Sequence, residues 1–536
     1  MEKKEIINYF LSKNVLVSPD VLDNFQTESL DALEKISHDK ITVINKDLFA
    51  LDSSFSNWNE LEASRVLLEK GRENNYVTFI KKPSINFSKN FDQNEKNIHG
   101  KESYDQIISE ELLIKPNIKI VKNFVQTQKK INISDFIEYF KIRYKTLREI
   151  LLKRQELQDT ISINRVLNKK DKEKVAVIGM LMTKDITKND NFILQIEDLT
   201  GVIKVIIGKR DMDLYNICKE IMLDETLGFF GSFSKGVLFA ERIIFPDIPL
   251  TKEFKKSPDE VYVVCTSDIH VGSRLFHKNE FLNFIEWLNG NFGDENQKNI
   301  AKKVKYLVVT GDLVAGVGVY PGQDKELTLK DINDQYKELG ELLNKIRKDI
   351  FIILCPGDHD AVMVNEPQPI LDKDFSKSLY ELSNVSLVTN PAFVNIHSSE
   401  TFSGFDFLLY HGHSFIYYAN TVDHIRNSGW TGRGDLIMKY LLQRRHLSPT
   451  HGATTYLPES GHDPLVIDIV PDFLVSGHLH QISNLNYRNV SLIGCGCWEA
   501  LTPYQEKTGN KADPGKVTLV NLKTRELKIL NFLQPF

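Results

Sequence analysis

Five short polar clusters in the C-terminal half of the sequence contain the side chains that could do chemistry. Each cluster follows a short apolar run, which predicts that each stands at the end of a buried strand. Carboxylates and imidazoles that meet at one edge of a sheet can hold two divalent cations, and such a pair of cations promotes phosphoester hydrolysis. The clusters are Asp268-Ile269-His270, Gly311-Asp312, Gly357-Asp358-His359-Asp360, His411-Gly412-His413 and Gly477-His478-Leu479-His480.

The order of these clusters is more specific than any one of them. Read as D-x-H, G-D, G-[N/D]-H-[D/E], H and G-H-x-H, the series resembles the signature of the calcineurin-like metallophosphoesterases. By this resemblance, Asp312 is the carboxylate that bridges the two cations. The other ligands that the resemblance implies are Asp268, His270 and His480 for one cation, and Asp358, His411 and His478 for the other.

The same resemblance implies roles for the two residues after Asp358. His359 is next to a ligand but is not one in the family pattern, so it is the expected general acid for the leaving 3′-oxygen. Asp360 is expected to orient His359 through a hydrogen bond. The mixture of imidazoles and carboxylates favours Mn²⁺, with Zn²⁺ or Fe²⁺ as alternatives, over Mg²⁺.

Length and composition limit the class of protein that contains these motifs. The chain has 536 residues, of which 41% are hydrophobic and 26% charged, as expected for a globular protein of two to four domains. It contains no apolar run of about 18 residues and no apolar signal-peptide core in MEKKEIINYF, so we expect an intracellular, cytoplasmic protein without a membrane partner. The net charge of −5 requires any contact with nucleic acid to be local or shared with a partner.

The N-terminal part divides by pattern. Residues 1–75 have apolar positions at three- and four-residue spacing and predict a small helical domain. Residues 76–130 are rich in Asn, Lys and Ser and predict a flexible linker. Residues 131–255 predict a helix, with Ser134 as its N-cap, followed by a β-barrel.

The barrel prediction depends on five strand-like segments with a helical segment after the third, which match an OB-fold. Such folds bind single strands with aromatic side chains and a basic groove. Phe192, Lys204, Lys209 and Arg210 could serve here, and a purely structural barrel is the alternative.

From 256 to 536, amphipathic helical segments alternate with the motif-bearing strands, which predicts an α/β sandwich. The predicted architecture is therefore an α/β sandwich metallophosphoesterase domain preceded by a β-barrel OB-fold and a small N-terminal helical domain.

Arg444 and Arg445, after the helical segment DLIMKYLL, are candidates for contact with a DNA backbone or a partner. The alternative is a helix C-terminus where cations are favoured.

Longer segments of the sequence resemble one particular family within this superfamily. AVMVNEPQPI (361–370), TGRGDLIMKYLLQRRHLSPTHG (431–452), DPLVIDIVPDFLVSGHLH (463–480) and the stretch 497–522 are similar to the small subunit of archaeal family-D DNA polymerase, over roughly residues 131–536. This resemblance implies a heterodimer with a large catalytic subunit. It also implies a 3′→5′ proofreading exonuclease that acts on single-stranded or mispaired 3′ ends of DNA.

The third cluster departs from the family pattern, which has Gly-Asn-His-Asp where this chain has Asp358 in the second position. The added carboxylate predicts tighter cation binding, a less electrophilic metal and a slower exonuclease. Two other functions stay open. One is a non-catalytic scaffold for the large subunit, and the other is a stand-alone phosphoesterase that acts on nucleotides or phosphoproteins.

Overall fold

The computed structural model describes residues 15–17, 42–44, 117–124, 130–458 and 461–533. The chain divides into two compact units, 1–109 and 110–536. In the first unit, β1 (Val15–Val17) pairs in parallel with β2 (Thr42–Ile44). The helices predicted within residues 1–75 lie outside the described residues, so they stay a prediction.

The predicted linker 76–130 is wrong at its C-terminal end. There, β3 (Ile118–Lys122) adds an edge strand to a sheet of the second unit. The helix that follows, α1 (Ile133–Leu151), begins before the predicted cap Ser134. Its N-cap is Asn132, whose backbone N–H donates to the carboxylate of Asp135 over 2.8 Å. An acidic side chain at this position accepts a hydrogen bond from an otherwise free backbone N–H. Its negative charge also interacts favourably with the positive end of the helix dipole.

A closed barrel of five strands comes next, in the spatial order β4-β5-β6-β8-β7. Alternate residues of β5 and β6 point inward and are buried, as the two-residue period of a strand requires. The five strands and the helix after the third occur in the predicted order. Between α1 and the end of the barrel, the elements are α2 (Ile163–Leu167), β4 (Glu173–Ile186), β5 (Phe192–Asp198), β6 (Gly201–Ile207), α3 (Met212–Lys219), β7 (Thr226–Ser234) and β8 (Val237–Ile244).

The rest of the chain forms two sheets with helices around them. In chain order, the elements are β9 (Tyr262–Thr266), α4 (Lys278–Leu288), α5 (Glu295–Lys302), β10 (Val304–Thr310), α6 (Ile332–Asn344), β11 (Phe351–Cys355), α7 (Lys373–Tyr380), β12 (Val385–Leu387), β13 (Ala392–Ile396), β14 (Phe405–Leu409), α8 (Phe415–Thr421), α9 (Asp423–Asn427), α10 (Gly434–Arg444), β15 (Phe473–Ser476), β16 (Ser483–Tyr487), β17 (Val490–Gly494), α11 (Pro503–Lys507), β18 (Lys516–Asn521) and β19 (Leu527–Asn531).

Each of these sheets has six strands, in the orders β12-β11-β10-β9-β18-β19 and β16-β17-β15-β14-β13-β3. Strands β9 to β12 are parallel to one another, and so are β14, β15 and β17. Parallel strands of this kind are buried on both faces and therefore read as continuous apolar runs. That is why the segments before the five polar clusters are so apolar.

Three apolar layers show that the sheets form a sandwich between helices. Cys265 and Val308 of one sheet and Phe407 and Phe473 of the other share one core. The outer face of the first sheet is covered by α4 and α6, and that of the second by α1, α8 and α10. The α/β sandwich predicted from the alternation of strands and helices is confirmed. No helix among the described residues is both long enough and apolar enough to cross a membrane.

A buried ion pair fastens α1 to the sandwich. Arg143, which is fully buried, donates from Nε to Asp463 Oδ2 over 2.7 Å and from Nη1 to the carbonyl of Pro449 over 2.9 Å. Tyr139 and His446 also contact the Asp463 carboxylate, at 2.5 and 2.9 Å. Burial would raise the pKa of Asp463, but Arg143 and His446 lower it, so the carboxylate stays charged.

Replacing Arg143 with Met keeps the apolar stem and removes the charge that balances Asp463. We expect the free energy of unfolding to fall by about 3–5 kcal/mol, because a buried charge is left unpaired. Urea titration followed by circular dichroism measures the change. Lys141→Met on the same helix, where the side chain is 48% exposed, is the matched control and should change it by less than about 0.5 kcal/mol. Equal effects of the two substitutions would contradict this role of Arg143.

Candidate metal centre

The polar clusters meet because of strand direction. Strands β9, β10 and β11 run parallel in one sheet, and β14 and β15 run parallel in the other. Each cluster begins within two residues of the last residue of its strand. The carboxyl ends of all five strands therefore face one cleft, which is where ligands bind in open α/β sheets.

The side chains form two groups. Within each group, the ligand atoms all lie within 4.8 Å of one another. The first group is buried, and the second is half-buried except for His411. All seven predicted ligands are brought together, and no other residue in the described part of the chain belongs to either group. The first group consists of Asp268, His270, Asp312 and His480, and the second of Asp358, His411 and His478.

Asp312 stands between the two groups. Its Oδ2 is 3.7 Å from His270 Nε2 in the first group, and its Oδ1 is 3.4 Å from His411 Nε2 in the second. One carboxylate oxygen therefore faces each group. This is the placement that a carboxylate needs if it is to contact two cations at once.

A hydrogen bond to the backbone fixes the orientation of the His411 ring. His411 Nδ1 is 2.9 Å from the carbonyl of Thr310 and must donate to it, so Nε2 is the nitrogen that faces the second group, 2.9 Å from Asp358 Oδ1. A metal-ligating histidine is commonly fixed in this way. His270 Nε2 and His480 Nε2 face each other at 3.1 Å, with two carboxylates close by. This donor set suits a divalent cation such as Mn²⁺, Zn²⁺ or Fe²⁺.

The carboxylates of the cluster are held in the charged form. Burial alone would raise the pKa of Asp312 and of Asp268, but His411 lowers the first and His480 the second. Burial would likewise lower the pKa of His411, but the charge of Asp312 raises it. The site therefore pairs opposite charges, and charged side chains can be buried only when they are paired in this way.

Five of the seven ligands have left-handed backbone conformations in the turns that follow the strands. Residues other than glycine adopt this conformation infrequently, although Asp and His do so more often than most. Backbone hydrogen bonds between clusters hold it, since Asp268 and His270 donate to the carbonyls of Gly311 and Asp312 at 3.0 and 3.1 Å. The φ angles are 50° at Asp268, 54° at His270, 50° at Asp312, 68° at His478 and 57° at His480.

The glycines of the motifs leave room for the ligands. A Cβ atom on Gly357 would lie 2.2 Å from Asp312 Oδ1, and one on Gly311 would lie 2.1 Å from His411 Nδ1. Neither approach is sterically possible. A ligand on one strand therefore depends on a missing side chain on its neighbour.

His359 lies at the edge of the cluster. Its Nδ1 is 2.8 Å from the carbonyl of Ala315, and its Nε2 is 4.0 Å from Asp312 Oδ2. Burial would lower the pKa of His359, but the charges of Asp312 and Asp358 raise it. The ring thus donates one proton to the backbone and points its other nitrogen at the cluster.

The expected role of Asp360 is wrong. Its carboxylate accepts from the N–H groups of Gly357 and Leu313 at 2.8 and 3.2 Å and from the hydroxyl of Tyr336 at 2.9 Å. The group that orients His359 is the carbonyl of Ala315. Burial and the nearby Asp312 raise the pKa of Asp360 to about 7. Asp360 therefore ties the loop of the third cluster to the second.

The predicted DNA contacts fall into two sets. Lys204, Lys209 and Arg210 are exposed on the barrel, and Lys209 forms an ion pair with Asp190 at 2.9 Å. Phe192 is 4% exposed and packs in the barrel core against Tyr215, so it offers no free face to a base.

Arg444 and Arg445 contradict the expectation of a DNA or partner contact. Both are buried at the end of α10, at 4% and 3% exposure. Arg444 pairs with Glu225 at 3.1 Å and thereby joins the barrel to the sandwich. Arg445 donates to the carbonyls of Ile467 and Asp468. The sequence shows two positively charged residues, but it does not show that a carboxylate and backbone carbonyls inside the fold bind them.

Two residues of the site were missed. Glu499 Oε2 is 3.9 Å from His270 Nε2, and Gln505 Nε2 is 3.2 Å from His480 Nδ1. Glu499 could have been found, because it follows β17, which runs parallel to the motif-bearing β15. Gln505 belongs to α11, and no strand end indicates it.

Two sheets between helices, with carboxylate and imidazole groups at the carboxyl ends of five strands, define the fold of a metallophosphoesterase domain. Residues 261–482 match the calcineurin-like phosphoesterase family.

Relatives that extend beyond this domain are more specific. The chain is 37% identical over 400 residues to the DNA polymerase II small subunit of Methanothermobacter thermautotrophicus, covering 75% of this chain and 80% of that protein. It is 37% identical to that of Pyrococcus furiosus, covering 75% and 64%, and 35% identical to that of Archaeoglobus fulgidus, covering 72% and 75%. The chain belongs to the family of DNA polymerase II small subunits.

Replacing Gly357 with Ala places a methyl group 2.2 Å from Oδ1 and 2.4 Å from the backbone N of Asp312, so both the carboxylate and the backbone that carries it must shift. We expect affinity for Mn²⁺, measured by titration calorimetry, to fall about 10- to 100-fold, as when other supports of a ligand are removed. Gly208→Ala is the control, since the nearest atom to its added Cβ would be 3.9 Å away. Unchanged Mn²⁺ affinity in a folded Gly357→Ala variant would show that Asp312 does not have to occupy its present position.

Proposed function

We propose that this chain is the 3′→5′ exonuclease subunit of a heterodimeric DNA polymerase. The observation that carries the proposal is the pair of ligand groups joined by Asp312, because hydrolysis of a phosphodiester by two cations needs this arrangement. Asp268, His270 and His480 would hold one cation, Asp358, His411 and His478 the other, and Asp312 both. Bound cations there would activate water and offset the charge of the phosphate oxygens.

The exposure of the ligands indicates the side from which DNA approaches. The side chains of Asp268, Asp312 and His411 are at most 2% exposed. Those of Asp358, His359 and His478 are 20%, 19% and 15% exposed. The scissile phosphodiester would therefore enter over the second group, next to His359. From this position, His359 Nε2 would deliver a proton to the leaving 3′-oxygen.

The names of the relatives as small subunits support a partner for this chain, a large subunit that carries polymerization. The barrel, with five strands closed around an apolar core and a helix between the third and fourth, supports an OB-fold. Lys204, Lys209 and Arg210 on its surface are the proposed contacts to the DNA backbone. Mn²⁺ is the proposed cation, and the cytoplasmic nucleoid is the proposed location.

The second candidate function is a scaffold with weak or no nuclease activity. The observation that favours it is Asp358, which brings a third carboxylate to a site where the family pattern has an amide. The complete ligand set opposes it.

His359→Ala should separate catalysis from cation binding. With Mn²⁺, the wild-type chain should shorten 5′-labelled single-stranded DNA from its 3′ end, and a chelator should stop it. The variant should lose about 10²–10⁴-fold in rate, the usual contribution of a general acid, with unchanged Mn²⁺ affinity. His424→Ala, at an exposed histidine outside the motifs, is the control. If the wild type shortens no DNA, alone or with the large subunit, the scaffold is the better function.

Asp358→Asn should restore the amide of the family pattern. Asp358 Oδ1 lies 2.9 Å from His411 Nε2 and 3.1 Å from His478 Nδ1, so its charge acts directly on the second group. We expect weaker Mn²⁺ binding and a faster exonuclease at saturating Mn²⁺, because the cation is less neutralised. Asp423→Asn, at an exposed carboxylate on α9, controls for net charge. A variant no faster than the wild type at any Mn²⁺ concentration would disprove this effect of the carboxylate.

A further inference from the structure

A pair of tyrosine rings lies beside the metal centre, outside both ligand groups. Tyr320 and Tyr504 are stacked, with ring centroids 5.6 Å apart and an angle of 18° between the planes. The ring of Tyr320 is 6.2 Å from that of His359. Tyr504 is 56% exposed, so the pair presents aromatic surface to solvent next to the expected general acid.

Different contacts fix the two tyrosines. The hydroxyl of Tyr320 donates to Glu326 over 2.8 Å. Tyr504 belongs to α11, whose first turn is closed by Thr502, the acceptor from Gln505 N–H at 3.2 Å. The side-chain amide of Gln505 in turn lies 3.2 Å from His480 Nδ1. The pair is thus tied to the metal centre through His359 on one side and through His480 on the other.

Apolar side chains are also exposed in the loops that follow the second and third clusters and in the segment before α11. A large exposed aromatic or aliphatic group is ordinary by itself, whereas several around one cleft indicate a binding surface. The ligand that fits must have a flat apolar face and must reach a phosphodiester. The exposed residues are Val317 (53%), Val319 (38%), Met363 (39%), Val364 (50%) and Leu501 (38%).

We propose that Tyr504, backed by Tyr320, is a stacking platform for a nucleobase of the DNA strand next to the scissile phosphodiester. The inference rests on the proposed function and names how its substrate is recognised. Every base has an aromatic face, so stacking of this kind tolerates any sequence. In a duplex an internal base is stacked on both faces, and a terminal base is stacked on one face and held by its pairing partner. The platform therefore selects single-stranded or frayed 3′ ends, where a base is free to leave the stack.

The test compares two single-stranded oligonucleotides of the same length. One has all its bases, and the other is abasic at its two 3′-terminal nucleotides. The full chain with Mn²⁺ should cleave the first with a lower KM than the second. Tyr504→Ala should raise the KM for the first about tenfold, leave kcat unchanged and have no effect on the abasic substrate. Tyr504→Trp should retain the preference. Tyr380→Ala is the control, at a tyrosine that is 44% exposed and contacts Leu371 and Lys373.

An equal loss on both substrates would overturn the platform, because it would show that Tyr504 acts through α11 and His480. A second measurement separates this failure from failure of the proposed function. Binding of the two oligonucleotides, fluorescently labelled, to the His359→Ala variant with Mn²⁺ is followed by anisotropy. If the wild type cleaves no DNA but this variant prefers the oligonucleotide with all its bases, and Tyr504→Ala removes the preference, the platform stands without the exonuclease. Equal binding of both oligonucleotides would overturn it.

Discussion

The structure depends on one electrostatic constraint, which is to keep the carboxylate of Asp312 charged where water is nearly excluded. A buried charge is tolerated only beside opposite charge or good hydrogen bonds. Here, imidazoles from both sheets and the backbone N–H of His359, at 2.9 Å, surround it. The parallel strands, the left-handed turns after them and the missing side chain at Gly357 all bring these groups within reach of one carboxylate.

Much of this could be predicted because parallel strands leave a simple mark. A strand buried on both faces is an unbroken apolar run, and its carboxyl end faces the ligand side of the sheet. Asp268, Asp312 and His411 each stand directly after such a run, so the sequence alone places them together. The barrel could be predicted for a related reason, since its short strands are separated by turns and one helix.

The sequence does not predict which distant side chains and strands contact one another within the fold. Asp360 has the same neighbours in sequence as His359, yet it bonds to Tyr336 and to two backbone N–H groups. Arg444 reads as a surface cation, and only the fold brings Glu225 of the barrel to it. The sequence of strand β3 predicts a linker, because three of its five residues are exposed and it pairs with a strand far along the chain. Each error comes from long-range pairing, which leaves no local pattern.

The ligands are also far apart in sequence, and this affects when the site can exist. His270 and His480 face each other across 210 residues, and Glu499, which lies near them, comes later still. Contacts of such high sequence separation form late in folding, because the intervening chain must first be ordered. During synthesis, a chain that has emerged only as far as β14 carries Asp268 and Asp312 without His411, His478 and His480. The complete set of metal ligands therefore exists only in molecules whose second sheet is complete.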